Sequence, residues 1–474
     1  MILLVQNSEI YNNDLRAMIM AFYPGIKIVT EKPDGEVLFT FSAEYGELCR
    51  FGIDNNTVTV DGDYKDKESF RNKLKLAVYR LLSEHTKRTL PWGDLTGVRP
   101  TKIAMARLVE GRSEDETVQY YREVYDVTEK KARLATEVAV NERRLLRTVD
   151  MENDYCLYVG IPFCPTRCLY CSFTSYPIEK YEEKAKSYIE QLKKELEYIA
   201  KLYSKRRLIS VYVGGGTPTS ISAGLLCELL TKIRECFDMS QVMEFTVEAG
   251  RPDSITDEKL EVMKKNEVTR ISINPQTMND ETLRVIGRAH TKAQTREAFE
   301  RARAHGFDNI NMDIIAGLPG EDIDSMRRTL EGIAGLAPES VTVHSLAIKR
   351  AANLRQQLDD FGERIHHDMN EMLDLVDDVA RGWGMTPYYM YRQKNIGGNL
   401  ENVAYSLPGH ECLYNILIME EMTDIVAAGA GGSTKLVFHG ENRVERVENC
   451  KSVDDYIERH EEMLERKKRA IDKG

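Results

Sequence analysis

The stretch Tyr158–Cys171, YVGIPFCPTRCLYC, decides how this chain is read. It begins as a short β-branched run and ends in three cysteines, Cys164, Cys168 and Cys171, with three and then two residues between them. An apolar run passing into a polar loop reads as a strand and the loop at its carboxyl end. The chain holds nine cysteines, and the other six, Cys49, Cys156, Cys227, Cys236, Cys412 and Cys450, stand singly, as small buried hydrophobes do in a reducing compartment. Three thiols crowded into one loop need a chemical cause. Thiolates are soft ligands that favour iron–sulfur clusters, zinc or copper(I). Structural zinc takes four ligands, usually as two pairs, and no second Cys or His pair stands nearby. Three thiolates fit three corners of a four-iron cluster and leave one iron open to a small molecule. A zinc ion with a distant fourth ligand is the structural alternative.

Outward from this loop, from Asp154 on, short β-branched runs alternate with helical stretches. The candidate strands are Cys156–Ile161, Leu208–Val213, Met243–Val247, Arg270–Ile273, Ile310–Ile315 and Ser340–Leu346. Between the first two, Ile189, Leu192, Leu196, Ile199 and Tyr203 recur three or four apart and form one face of a helix over Tyr181–Tyr203. Strand, helix, strand at this spacing predicts right-handed βαβ units on a parallel sheet. Six units predict an α/β fold, a partial (β/α)6 TIM-like barrel, whose site lies at the carboxyl ends of its strands. Polar residues gather at those ends. The second strand runs into VYVGGGTPT, where Gly214, Gly215 and Gly216 allow a ligand close to the backbone and Thr217 follows. The next four strands end on Glu248, Gln276, Asp313 and His344. One such residue is ordinarily a cap or a solvated tip; a series of them beside a cysteine loop reads as a site.

The flanks read differently. Residues 1–90 predict a small α+β module: a strand at Ile2–Gln6, a helix at Glu9–Phe22, strands in IKIVT, EVLFTFSA, LCRFGI and TVTV with a turn at Asn55-Asn56, and an amphipathic helix over Lys65–His85. Residues 91–150 predict a helical linker segment in which Ser113 caps a helix. It opens on PWGDLTGVRPTK, an ordered connection whose Arg99 and Lys102 could alternatively face an anion. Residues 151–350 form the core, and 351–474 form a helical, substrate-covering region with a long helix at Asn353–Gly382, an apolar glycine-rich run at 425–433 and one solvated helix over 451–474.

Composition sets the outer bounds. Of 474 residues, 42% are hydrophobic and 30% charged, which excludes a wholly disordered chain. Lys plus Arg number 65 against 76 Asp plus Glu, a net charge of −11. That balance gives no general attraction to nucleic acid or to anionic membrane. No secretory leader and no run of about 18 apolar residues is visible, so a cytoplasmic protein is expected.

Taken together, YVGIPFCPTRCLYC, VGGGTPT, VEAGRPDSI, IGRAHT, NMDIIAGLPGE and, further on, PGHECLYN and AAGAGGS resemble the radical S-adenosylmethionine oxygen-independent coproporphyrinogen III oxidase family, over about residues 154–435. The amino-terminal module and GVRPTK resemble its longer branch. The resemblance implies a radical SAM core in which Cys164, Cys168 and Cys171 hold a [4Fe–4S] cluster and S-adenosylmethionine chelates the open iron. Tyr158, Tyr170, Gly215, Gly216, Thr217, Glu248, Gln276, Arg288 and Asp313 match family positions near the cofactor, with the backbone at Val343 and Ser433 contributing. The implied reaction takes hydrogen from propionate side chains of coproporphyrinogen III and leaves vinyl groups, carbon dioxide and protoporphyrinogen IX, in anaerobic heme biosynthesis. The implied partners are a tetrapyrrole and a low-potential electron donor such as flavodoxin or ferredoxin, which Arg167 could help to meet.

Four propionates call for local cations. The candidates are Arg99, Lys102, Lys349, Arg350, Arg392, Lys394 and Lys435. The chain departs from the oxidases at Phe173, where many carry a fourth Cys and the sister heme chaperones carry Phe. It also departs at Gly160, usually His, and at Gly250-Arg251, usually Asn-Pro. The chaperones' His-Asn pair for heme is Tyr414-Asn415 here, leaving His410 and Cys412 as candidate axial ligands. A heme-binding or heme-transfer protein on the same scaffold, or a methyltransferase-like relative with another substrate, is the alternative to the oxidase.

Overall fold

The computed structural model describes residues 1–347, 369–393 and 399–472. The chain forms two compact units. The first holds Met1–Asn141 with two short later pieces, one carrying Arg392 and Glu401. Strands β1 (Ile2–Gln6), β2 (Ile28–Val29), β3 (Phe39–Glu44), β4 (Leu48–Ile53) and β5 (Asn56–Asp61) form a sheet in the order β2-β1-β3-β4-β5. Helices α1 (Asn12–Phe22) and α2 (Lys67–Thr86) bury Leu15, Ile19, Phe22, Phe70, Leu74 and Val78 in one core with Phe41 and Phe51 of the sheet. The period of those apolar positions is what makes both helices amphipathic. In the β4–β5 hairpin Ile53 stands opposite Asn56, so the turn is Asp54-Asn55, one residue earlier than expected. Asp54 takes the left-handed conformation there, at φ 50°, which a short polar side chain tolerates.

Helices α3 (Thr101–Val109), α4 (Glu114–Tyr125) and α5 (Glu129–Leu145) follow. Ser113 caps α4 as expected, in a reciprocal box with Glu116. The loop before α3 is held by the buried Trp92, whose indole N–H donates to Glu401 at 2.6 Å. Lys131 meets the same carboxylate at 2.7 Å. Arg392 lies over the Trp92 ring and donates to the Gly97 carbonyl. Its guanidinium is thereby spent, and Arg392 is not a free cation for a substrate carboxylate.

The second unit is built on β6 (Asp154–Ile161). After a short pair, β7 (Phe163–Cys164) and β8 (Tyr176–Pro177), the chain alternates α6 (Glu182–Leu202), β9 (Arg207–Gly215), α7 (Ala223–Cys236), β10 (Glu244–Glu248), α8 (Asp257–Lys265), β11 (Arg270–Ser272), α9 (Asp280–Val285), α10 (Lys292–Ala304), β12 (Ile310–Ala316), α11 (Ile323–Ala334) and β13 (Ser340–Ser345). The six expected strands are all present, each end within two residues of its expected place. β6, β9, β10, β11 and β12 run parallel in that order. Ile189, Leu192, Leu196, Ile199 and Tyr203 are buried, as the helical spacing predicts.

Among the described residues the sheet does not close between β6 and β13. Beyond β13 lie β15 (Glu401–Ser406) and β14 (Thr386–Arg392); beyond β6 lie β16 (Asp424–Ala428), β17 (Ser433–Phe438) and β18 (Arg443–Glu448). Such an open strand–helix repeat is what a partial barrel requires. The carboxyl-terminal region carries helices α12 (Met369–Gly382), α13 (Leu413–Glu420), α14 (Val453–Glu458) and α15 (His460–Ile471), and in addition these five strands. The run at 425–433 contains strand β16, parallel to β6.

The tail is two helices rather than one solvated helix, and His460, Met463, Leu464, Lys467 and Ala470 of α15 are buried. The heavy charge of its sequence masks that face. Of the helix expected over Asn353–Gly382, the part before Met369 lies outside the described residues, as do Lys349, Arg350 and Lys394. Among the described residues no helix is long and apolar enough to cross a membrane.

Candidate functional site

Alternation along the strands gives the sheet two chemically different faces. Leu157, Val159, Val211, Val213, Phe245, Val247 and Ile271 are buried on the face toward which the helices return. The other face is polar. Register places Cys156 beside Ser210 and Glu244, then Tyr158 beside Tyr212, Thr246 and Arg270, then Gly160 beside Gly214. Toward the carboxyl ends the same face carries Glu248, Ser272, Asn311, Asp313 and His344. The rings of Tyr158, Tyr212 and Tyr414 stack on it, the last two with centroids 4.4 Å apart. Below them Glu244 accepts the Leu413 N–H at 2.6 Å and the buried Cys412 thiol at 3.4 Å, which fixes α13 against this end.

The cysteine loop leaves the carboxyl end of β6. The Leu169 N–H bonds the Ile286 carbonyl at 3.0 Å, and the Cys171 N–H bonds the Cys168 carbonyl at 3.2 Å. The glycine run after β9 packs directly on the loop: the Gly216 and Thr217 N–H groups bond the carbonyls of Ile161 and Phe163, and the Thr217 hydroxyl donates to Cys164 Sγ at 3.5 Å. A Cβ on Gly216 would stand 2.6 Å from the Phe163 oxygen and 3.0 Å from Cys164 Sγ, so only glycine fits. A Cβ on Gly214 would stand 2.9 Å from the Glu248 carboxyl carbon, and the absence of a side chain there lets Glu248 reach the Gly215 N–H at 3.3 Å.

The residues expected near the cofactor can each be placed. The Tyr158 hydroxyl lies on the Gly215 side of β6. Tyr170 accepts a hydrogen bond from Arg288 at 3.1 Å, and Arg288 also bonds the Asn274 carbonyl at 2.8 Å. Gln276 adopts φ 67°, and its N–H bonds the Asp313 carbonyl. Asp313 faces His344 at 3.8 Å and accepts from Asn311 at 2.6 Å. Val343 sits in the β13–β15 ladder opposite Val403. Ser433, at the head of β17 on the far flank of β6, gives its hydroxyl to Glu448. Lys435 bonds the Ile418 carbonyl and Glu421, so it too is not a free substrate cation.

Sequence reasoning passed over Arg251, which donates to Cys168 Sγ at 3.6 Å. Its signal was present as the unusual Gly250-Arg251 step. Tyr212 was also missed, although its alternation with Gly214 puts it on the same face.

Burial dominates the electrostatics here. It pushes the Cys164 and Cys171 thiols up and Glu248 up to about 7. Burial also acts to raise Asp313, but the hydrogen bond and charge of His344 outweigh it and hold the carboxyl low. Thiols that resist ionisation in isolation ionise on binding a metal, which supplies the missing positive charge. Among the described residues no three His, Cys, Asp or Glu side chains stand at the spacing of a single-ion site. That bears on a lone ion; thiolates that each hold a different iron of a cluster need not share one. Three thiols on one loop, a glycine cradle against one sulfur and N–H and O–H donors to two of them fit a four-iron cluster.

A model of the radical SAM superfamily matches residues 158–333. The chain is 38% identical to the oxygen-independent coproporphyrinogen-III oxidase-like protein HemZ of Bacillus subtilis, over 89% of this chain and 86% of that protein. The chain belongs to that radical SAM family. Its cofactors are those of the superfamily, a [4Fe–4S] cluster and S-adenosylmethionine. The heme chaperone HemW of Lactococcus lactis is 33% identical over 58% of this chain and 68% of its own length. In fold, the chain matches the radical SAM coproporphyrinogen III oxidase HemN of Escherichia coli with a TM-score of 0.55 at 21% identity, over 68% of this chain and 72% of that one.

Proposed function

We propose that this chain is a radical S-adenosylmethionine oxidoreductase that converts propionate side chains of coproporphyrinogen III to the vinyl groups of protoporphyrinogen IX, in the cytoplasm. The observation that carries the reading is the seating of Cys164 against Gly216 and Thr217, beside a carboxylate at Gly215. Cys164, Cys168 and Cys171 would hold the cluster. Gly215, Gly216, Thr217 and Glu248 would hold the methionine end of the cofactor, with Tyr158 and Tyr170 beside it. Gln276, Arg288 and Asp313 would line the remainder, and the backbone at Val343 and Ser433 would close its edges.

When bound, the cofactor pair supplies a carbon radical able to take hydrogen from a propionate. The chain's own part is positioning: the stacked rings of Tyr158, Tyr212 and Tyr414 would floor the site. A low-potential donor such as flavodoxin or ferredoxin would deliver the electron. Cys168→Ala is expected to abolish both cluster assembly and vinyl product; retained turnover would sink the reading.

Phe173 favours a second reading, a heme-handling protein on the same scaffold. It stands 65% exposed two residues after Cys171, where a fourth cysteine would otherwise be. Relatives named heme chaperones support it. Of its two candidate ligands, Cys412 is fully buried and bonded to Glu244, which leaves His410. Stoichiometric heme binding lost in His410→Ala, without cofactor cleavage, would favour it.

A further inference from the structure

Arg251 is one of the most constrained cations in the molecule. It is 3% exposed and sits in the Gly-Arg-Pro-Asp turn that follows β10. Its Nε and Nη2 form a two-pronged pair with Asp253 at 2.9 and 2.8 Å. Its Nη1 turns the other way. It meets the Thr166 hydroxyl at 3.1 Å, the Thr166 carbonyl at 3.3 Å and Cys168 Sγ at 3.6 Å. Behind the pair lies the buried His290, 4.0 Å from Asp253. A guanidinium this rigid keeps its orientation through changes of charge nearby. The result is a fixed dipole with its positive end against one thiol of the cysteine loop and its negative end pointing away.

We propose that the Arg251–Asp253 pair tunes the potential at which the cluster on Cys164, Cys168 and Cys171 accepts an electron, by stabilising added negative charge at the Cys168 sulfur. The inference rests on the assignment of those three thiols to a [4Fe–4S] cluster. Hydrogen bonds and charges at the sulfurs are among the levers that set such potentials. One electron enters from a low-potential donor, no bond forms or breaks, and the reduced cluster is the form that gains from the N–H and the nearby positive end. Arg251 acts through Cys168 and is a tuning residue rather than a catalytic one.

The two halves of the pair give shifts of opposite sign. Arg251→Met removes the positive end and moves the midpoint to more negative values. Asp253→Asn leaves the guanidinium unbalanced and moves it to more positive values. Each shift is expected near a tenfold change in the reduced-to-oxidised ratio at fixed potential, about 59 mV for one electron.

The test is an anaerobic redox titration of the reconstituted full chain, followed by electron paramagnetic resonance, with iron content measured alongside. Opposite shifts at parental iron content bear the proposal out. Midpoints unchanged in both variants, or both moved the same way, overturn it. If Arg251→Met loads no iron, the sign of the Asp253→Asn shift decides. A parent chain that assembles no four-iron cluster overturns the cysteine assignment itself, a failure distinct from unmoved potentials in loaded variants.

Discussion

Tyr212 donates its hydroxyl to Glu248 at 2.5 Å on the polar face of the sheet, and the other carboxylate oxygen reaches the Gly215 N–H. The pair joins two neighbouring strands, β9 and β10, at the level where the glycine run meets the cysteine loop. Burial pushes Glu248 up to about 7, the Tyr212 hydrogen bond opposing that rise without cancelling it.

A pH dependence of the cofactor-free chain follows. The folded state favours the protonated carboxyl, so the stabilisation Glu248 contributes is complete below its ordinary range and is lost as pH rises through about 7. Glu248→Gln should flatten the fall in unfolding free energy between pH 5 and 8 by on the order of 1–2 kcal/mol. Urea titrations of both chains across that range check it. An identical pH profile would place the titration elsewhere.

Gly216→Ala should fold yet load little iron. The added methyl meets a backbone oxygen at 2.6 Å and the Cys164 sulfur at 3.0 Å, and a carbonyl in a ladder cannot move aside as a flexible side chain can. Iron content after anaerobic reconstitution should fall by more than half, with the unfolding free energy lowered by about 1–3 kcal/mol.

The tail supports the site from below. Lys467 of α15 pairs with Glu195 of α6 at 2.6 Å, both side chains fully buried. Glu195 also accepts from the Tyr456 hydroxyl and the Gly429 N–H. Gly429 lies so near β6 that a Cβ there would stand 2.4 Å from the Gly160 oxygen. Lys467→Ala strands a buried carboxylate and should cost about 3–5 kcal/mol in denaturant titration. Lys467→Met together with Glu195→Gln should recover part of that loss, because both charges are removed while a side-chain oxygen remains to accept from the Tyr456 hydroxyl or the Gly429 N–H.

What the sequence revealed and what it hid follow from the range of the interactions. The βαβ rhythm rests on local apolar period, and Ile189, Leu192, Leu196 and Ile199 sit where that period puts them. Cys164, Cys168, Cys171, Gly216 and Thr217 were legible because their types and spacing carry the chemistry. The roles of Arg251, Arg392 and Lys435 were not. An arginine looks the same in the sequence whether it meets a thiol, as Arg251 does, or a carbonyl nearly 300 residues away, as Arg392 does at Gly97. The strands after residue 380 were hidden for a related reason: β16 is short and pairs with β6 from the far side, so nothing local marks it.

The most direct test of the central claim is 5′-deoxyadenosine release by the reconstituted chain under anaerobic conditions, with S-adenosylmethionine and a low-potential reductant, in the presence and absence of coproporphyrinogen III. The account predicts that release rises with the porphyrinogen and is matched by vinyl-bearing product and carbon dioxide. Cofactor cleavage indifferent to the porphyrinogen, or S-adenosylhomocysteine in its place, would contradict it.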